Sequence, residues 1–168
     1  MPTIQIDPLR LGIDDAGEIL TLQRAAYVTE AQAHDDLMMP PLTQTLEQLR
    51  GEITDPRITA WGIRKNGRLV ASVRFRLADG GVAEIGRLVV APDRQGHGLG
   101  TALLIAAEAR LPETVTVIRL FTGEHSHANL RLYQRLGYRE TNRTPAGSYH
   151  LVHLAKTRAP ERAYPAQA

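Results

Sequence analysis

Val89-Val90-Ala91-Pro92-Asp93-Arg94-Gln95-Gly96-His97-Gly98-Leu99-Gly100-Thr101 changes character twice. A β-branched apolar run stops at a proline, crosses a short polar loop with alternating glycines, and enters an apolar helical pattern. Strand, glycine loop and helix start together make a seat for phosphate. Glycine lets the backbone approach an anion closely, and the free N–H groups of the first helical turn, at the positive end of the helix dipole, hold the charge. A glycine-rich turn into a helix also has a purely structural reading. The dinucleotide fingerprint needs a glycine where this chain has Thr101, and a loop without the Pro92-Asp93-Arg94 detour. The nucleoside triphosphate loop needs a Gly-Lys-Ser/Thr ending, and there is none.

The flanks narrow the choice. Gln95-Gly96-His97-Gly98-Leu99-Gly100, behind Val90-Ala91-Pro92 and ahead of a Leu/Ala-rich helix, resembles the Arg/Gln-x-x-Gly-x-Gly/Ala signature of the GNAT superfamily of N-acetyltransferases. Leu132-Tyr133-Gln134-Arg135-Leu136-Gly137-Tyr138 resembles that family's second signature, a helix carrying Leu-Tyr and closing on Leu-Gly-Phe/Tyr. Two motifs in the right order are far more specific than either alone. The resemblance spans residues 3–156.

Composition agrees with one soluble domain. The chain has 168 residues, 43% hydrophobic and 23% charged, with a net charge of +2. Its basic residues are scattered and aromatics are only 5%, so no nucleic-acid face is expected. The absence of cysteine excludes disulfides, thiolate zinc sites and a cysteine nucleophile, and it fits a reducing compartment. Neither a membrane-length apolar run nor a secretory leader is visible, which makes a cytoplasmic location and no membrane partner the expectation.

Periodicity sets out the elements. Thr3–Ile6 alternates as a first strand. Asp15 and Glu18 resemble a capping box, opening a helix that runs to about Ala33. Residues 34–41 read as a loop because Pro40-Pro41 cannot continue a helix. Leu42, Leu46, Leu49 and Ile53 mark a second helix. Strands are expected at Ile58–Arg64 and Arg68–Leu77, joined by the Asn66-Gly67 hairpin turn, and at Val82–Val90. A helix over Leu99–Leu111, a strand over Val115–Phe121, a helix over Ser126–Leu136 closed by Gly137, and a strand over Ser148–Leu154 follow. Thr157–Ala168 is Pro/Ala/Arg-rich and is expected to be a disordered tail. The pattern predicts one α/β (α+β type) domain over 1–156 with four helices. The resemblance implies a mixed, mostly antiparallel sheet of six or seven strands whose fourth and fifth strands splay apart.

The resemblance also implies acetyl-CoA as acetyl donor, moved by direct transfer to a primary amine of a small molecule or peptide. The loop backbone at Gly96, Gly98, Leu99 and Gly100, with the Gln95 amide and the Thr101 hydroxyl, can bind the pyrophosphate, and Arg94 and His97 can add contacts. Leu88, Val89 and Val90 would pair with the pantetheine arm, and a bulge there would aim an N–H at the thioester carbonyl. Strand alternation puts Glu84 on the same face as residues 86, 88 and 90, the one charge there, which makes it the candidate base. Its alternative is an ion pair with an arginine of a neighbouring strand, such as Arg74 or Arg76. Tyr133 is the candidate acid for the departing thiolate, or else a core tyrosine. The family's usual asparagine, seven positions before this tyrosine, is Ser126 here; Asn129, one turn before Tyr133, is the other cofactor candidate.

Tyr27, Glu30, His34 and Asp35, with Asp36, are expected near the acceptor entrance. Their acidity points to a cationic amine. His125, His127, His150 and His153 have no shared metal geometry, and no metal is expected. Pairing of subunits is common in the family, which leaves a homodimer open. The alternative to an enzyme is a coenzyme-A-binding sensor with the same fold.

Overall fold

The computed structural model describes residues 4–159. Seven strands form one sheet in the order β1-β2-β3-β4-β5-β7-β6. They are β1 (Leu9–Leu11), β2 (Ile58–Lys65), β3 (Arg68–Ala78), β4 (Val82–Val90), β5 (Val117–Gly123), β6 (Arg139–Ala146) and β7 (Tyr149–Thr157). Every neighbouring pair is antiparallel except β4 and β5, which run parallel. The helices are α1 (Ala16–His34), α2 (Pro40–Thr43), α3 (Leu46–Thr54), α4 (Leu99–Glu108) and α5 (His127–Arg135).

The central strand explains the layering. β3 is buried from Leu69 through Phe75 without alternation, so both of its faces are covered, and α1 and α4 both pack on it. The Asn66-Gly67 turn works as its residues require: both have positive φ, 51° and 79°, as a two-residue hairpin joining right-twisted strands demands.

Several expectations are corrected. The first strand is Leu9–Leu11, not Thr3–Ile6, whose first residue lies outside the described part; Ile4–Ile6 is not a strand. Leu11 is the buried anchor of β1, pairing with Ala60. Its side chain and that of Leu69 fill the space beside Gly62, where a Cβ would come within 2.8 Å and 2.7 Å of them. Asp15 and Glu18 do not form a capping box; both carboxylates instead bind Arg64 at 2.9 Å, and Asp15 accepts the Gly12 N–H. A fifth helix, α2, begins at Pro40, because proline suits the first helical turn, where its missing N–H costs nothing. The next helix starts later than Leu42, at Leu46, behind a capping box of Thr45 and Gln48.

β6 carries no apolar period that would mark it in the sequence: it is almost wholly polar and exposed at the sheet edge. β7 runs past the expected boundary at 156: Thr157 pairs with Val117, and the Arg158 N–H donates to the Thr116 carbonyl. The rest of the expected tail, 160–168, lies outside the described residues. No described helix is long and apolar enough to cross a membrane.

Candidate active site

β4 ends at Val90, and a single 3-10 turn over Pro92–Arg94 redirects the chain. Gly96 and Gly98 then take φ of 80° and 77°, a conformation that side-chain-bearing residues resist, and Gly98 caps α4. The first helical bond runs from the Ala102 N–H to the Gly98 carbonyl. Among the described residues, the N–H groups from Gly96 to Thr101 have no protein acceptor. That is an anion seat made of main chain, reinforced by the α4 dipole. The Gln95 amide turns back to the Val90 carbonyl at 3.1 Å, bracing the loop. A groove of about 430 Å³ is lined by Leu88, Val89 and Val90 on one side, and by Arg94, Gln95, Gly96, Gly98, Leu99, Gly100 and Thr101 at its end. His97 is exposed and is not part of the lining.

The strand feeding this loop carries a bulge. Arg74 pairs with Gly86 but Ser72 pairs with Val89, so β4 holds one residue more than β3 there, and Arg87 sits at φ 57°. Pairing of β4 with β5 stops at Glu84 opposite Arg119. Beyond that point the strands separate, leaving the β5-facing edge of Ile85–Val90 without a strand partner. The groove, the unanswered donors and this open edge fit the phosphate and amide groups of coenzyme A.

A second cavity, of about 780 Å³, fills the splay. Tyr27, Glu30, Leu88 and Asn129 line both spaces, so groove and cavity meet there. The Glu30 carboxylate accepts hydrogen bonds from the Ser126 hydroxyl and from the Asn129 amide, the latter at 3.4 Å. Ser126 is buried behind Glu30 and lines neither space, whereas Asn129 lines both. Tyr133 is buried against the second cavity. Burial pushes its phenol far above the usual range, and the neighbouring Tyr27 and Glu30 push it the same way, so the ring stays protonated. Tyr138 packs edge-on against it with ring centroids 5.8 Å apart, and its own hydroxyl is anchored on Glu108. The Leu-Gly-Tyr ending of the second motif thus fixes the Leu-Tyr that precedes it.

His34 holds walls together. Its Nδ1 donates to the Glu30 carbonyl at 2.8 Å, and its Nε2 accepts the His125 N–H at 3.0 Å. A Cβ on Gly123 would lie 2.2 Å from Nε2, so only glycine lets β5 pass the ring. Asp35 caps α1 at φ 50°, and Asp36 accepts the Tyr149 hydroxyl at 2.7 Å, tying the loop after α1 to β7 across the cavity. Burial and that bond raise the Tyr149 phenol to about 12.

Glu84 is not brought to this centre. It is ion-paired with Arg119 on β5 and lines neither space. The bulge is the reason: face alternation read from sequence breaks at Arg87, so Glu84 does not share a face with Leu88. The arginine partner comes from β5, not from Arg74 or Arg76. Arg74 instead lies buried in a polar cluster with Glu52 at 3.0 Å and Gln23 at 3.0 Å. Arg87 and Tyr149, both on the second cavity, were not singled out from sequence. A lone arginine beside Gly86 in an otherwise apolar strand end was the available signal for Arg87.

Residues 19–138 match the acetyltransferase (GNAT) family, and the chain belongs to it. It is therefore an acyltransferase, and acetyl-CoA is the family's acetyl donor. Among solved structures it is similar to the PaiA N-acetyltransferase of Thermoplasma acidophilum in complex with coenzyme A. There the identity is 17%, the TM-score 0.74, and the match covers 92% of this chain and 100% of that one. It is equally similar to the ribosomal-protein-S18-alanine N-acetyltransferase of Escherichia coli, at 20% identity and TM-score 0.74, covering 94% and 98%. AAC(6')-Ib in complex with ribostamycin and coenzyme A matches at 17% identity and TM-score 0.71, covering 98% and 100%. No curated protein sequence matches significantly.

Proposed function

We propose that the protein is an N-acetyltransferase that passes the acetyl group directly to a primary amine of a small molecule or peptide. The observation that carries this reading is the meeting of groove and cavity at Tyr27, Glu30, Leu88 and Asn129. A donor laid along β4 from the glycine loop and an acceptor entering from the splay reach one another only there. Coenzyme A thioester supplies the acetyl group in activated form.

The chain's own groups do the rest. The main-chain donors of Gly96–Thr101 hold the diphosphate, and the open edge of Leu88–Val90 orients the arm beyond it. A main-chain N–H of that edge donates to the carbonyl oxygen as it gains charge. Glu30, held by Ser126 and Asn129, takes the ammonium proton directly or through one water and passes it to solvent. Tyr133, kept protonated by burial, donates to the departing sulfur. One N–C bond forms and one C–S bond breaks. The second proton lost by the nitrogen returns to Tyr133, replacing the one it gives to the thiol.

Thiol release from acetyl-CoA with a panel of primary amines tests this. Amine-dependent release is expected. Binding of coenzyme A with no turnover of any amine would leave the sensor reading in its place.

A further inference from the structure

Among the described residues Arg87 is the one arginine or lysine lining the second cavity; it makes no ion pair, and its polar neighbour is the neutral Tyr27 phenol. Its buried Nε has no hydrogen-bond partner at all. Arg74 makes the contrast: that buried guanidinium is satisfied by Glu52 and Gln23. Arg87 also occupies the bulge at φ 57°, where a residue serving only the backbone would be glycine or asparagine. Among the described residues, none of the cavity's acidic groups forms an ion pair with Arg87. Asp36 holds Tyr149 and the Met38 N–H, Glu30 holds Ser126 and Asn129, and Asp35 sits at the C-terminus of α1. The lining also offers apolar surface from Ile85, Leu120, Phe121, Leu151, Met38 and Met39.

We propose that the acceptor is a primary amine that also carries a carboxylate and an apolar body, an α-amino acid with a large side chain being the simplest case. Arg87 receives the carboxylate as a planar, bidentate donor, Glu30 receives the ammonium at the junction, and the apolar wall receives the side chain. This rests on the N-acetyltransferase reading and adds the substrate class to it.

The test pairs turnover with binding. Phenylalanine is expected to exceed phenylalaninamide in kcat/KM by about tenfold or more. Arg87→Gln brings the ratio to about one, and Arg87→Lys, which keeps the charge but loses the fork, falls between them. Independently, calorimetry on the coenzyme-A-saturated protein is expected to show N-acetylphenylalanine binding about tenfold tighter than its amide, a margin lost in Arg87→Gln. Equal binding of acid and amide by the wild-type protein overturns the proposal, as does efficient acetylation confined to amines without a carboxylate. Acid-selective binding through Arg87 with no amine acetylated keeps the carboxylate site and defeats the transferase reading instead.

Discussion

The groove and the cavity share four lining residues yet are built in opposite ways. The groove is a main-chain device. One continuous segment, β4 through the first turn of α4, supplies its donors, and its glycines are set by backbone geometry. The cavity is a side-chain device drawn from α1, β4, β5, α5 and β7 and from the α1–α2 and β6–β7 connections, held by pairs far apart in sequence such as Tyr149–Asp36 and His125–His34. A site made by backbone serves one invariant ligand, whereas a site made by side chains can be changed residue by residue. On the proposed reading, donor and acceptor specificity live in separable parts of this molecule.

Gly98→Val strikes the groove hardest. A β-branched residue at φ 77° is strained by about 1–2 kcal/mol, and it distorts donors that each contribute a charge-assisted bond. Coenzyme A affinity should fall by about a hundredfold in calorimetry; retention within threefold would mean that the donors do not hold the diphosphate. Tyr133→Phe acts from the wall of the second cavity. It should lower kcat by about tenfold to a hundredfold while coenzyme A affinity holds, and an unchanged kcat would remove the phenol from the chemistry.

Tyr149→Phe tests the cavity alone. The phenol titrates near 10 in the unfolded chain and at about 12 in the folded one, so its contribution is full below pH 10 and disappears as pH rises toward 12. Thermal unfolding should show the variant about 1–2 kcal/mol less stable at pH 8, with the gap closing in that window. A gap independent of pH would contradict the Asp36 bond. Glu84→Gln is the smallest. Its pairing with the exposed Arg119 is expected to contribute at most about 1 kcal/mol, and kcat should stay within about twofold; a large loss of turnover would return Glu84 to the reaction.

The same division governs what sequence could reveal. The glycine loop, the hairpin at Asn66-Gly67 and the Leu-Tyr…Leu-Gly-Tyr helix are local signals, and each lies where its residues indicate. Glu84 shows the limit: strand alternation is a sound rule until one inserted residue reverses it, and the bulge at Arg87 leaves no unambiguous mark in composition. Ser126, a cofactor candidate by position, proves to grip Glu30 from behind, a contact between residues 96 positions apart. Polar β6 offered no apolar period. The second cavity is built from such distant contacts; His34 and Asp35, which line it, carry a local polar-loop signal, whereas Arg87 and Tyr149 do not.

The most direct measurement is an amide NMR titration with coenzyme A. The expected result is saturable movement of the Gly96, Gly98, Leu99, Gly100 and Thr101 resonances, with Asp36 and Tyr149 across the cavity left in place. Saturation that moves the cavity resonances and leaves the loop unmoved, or no saturable change anywhere, would contradict a phosphate seat made of main chain at the start of α4.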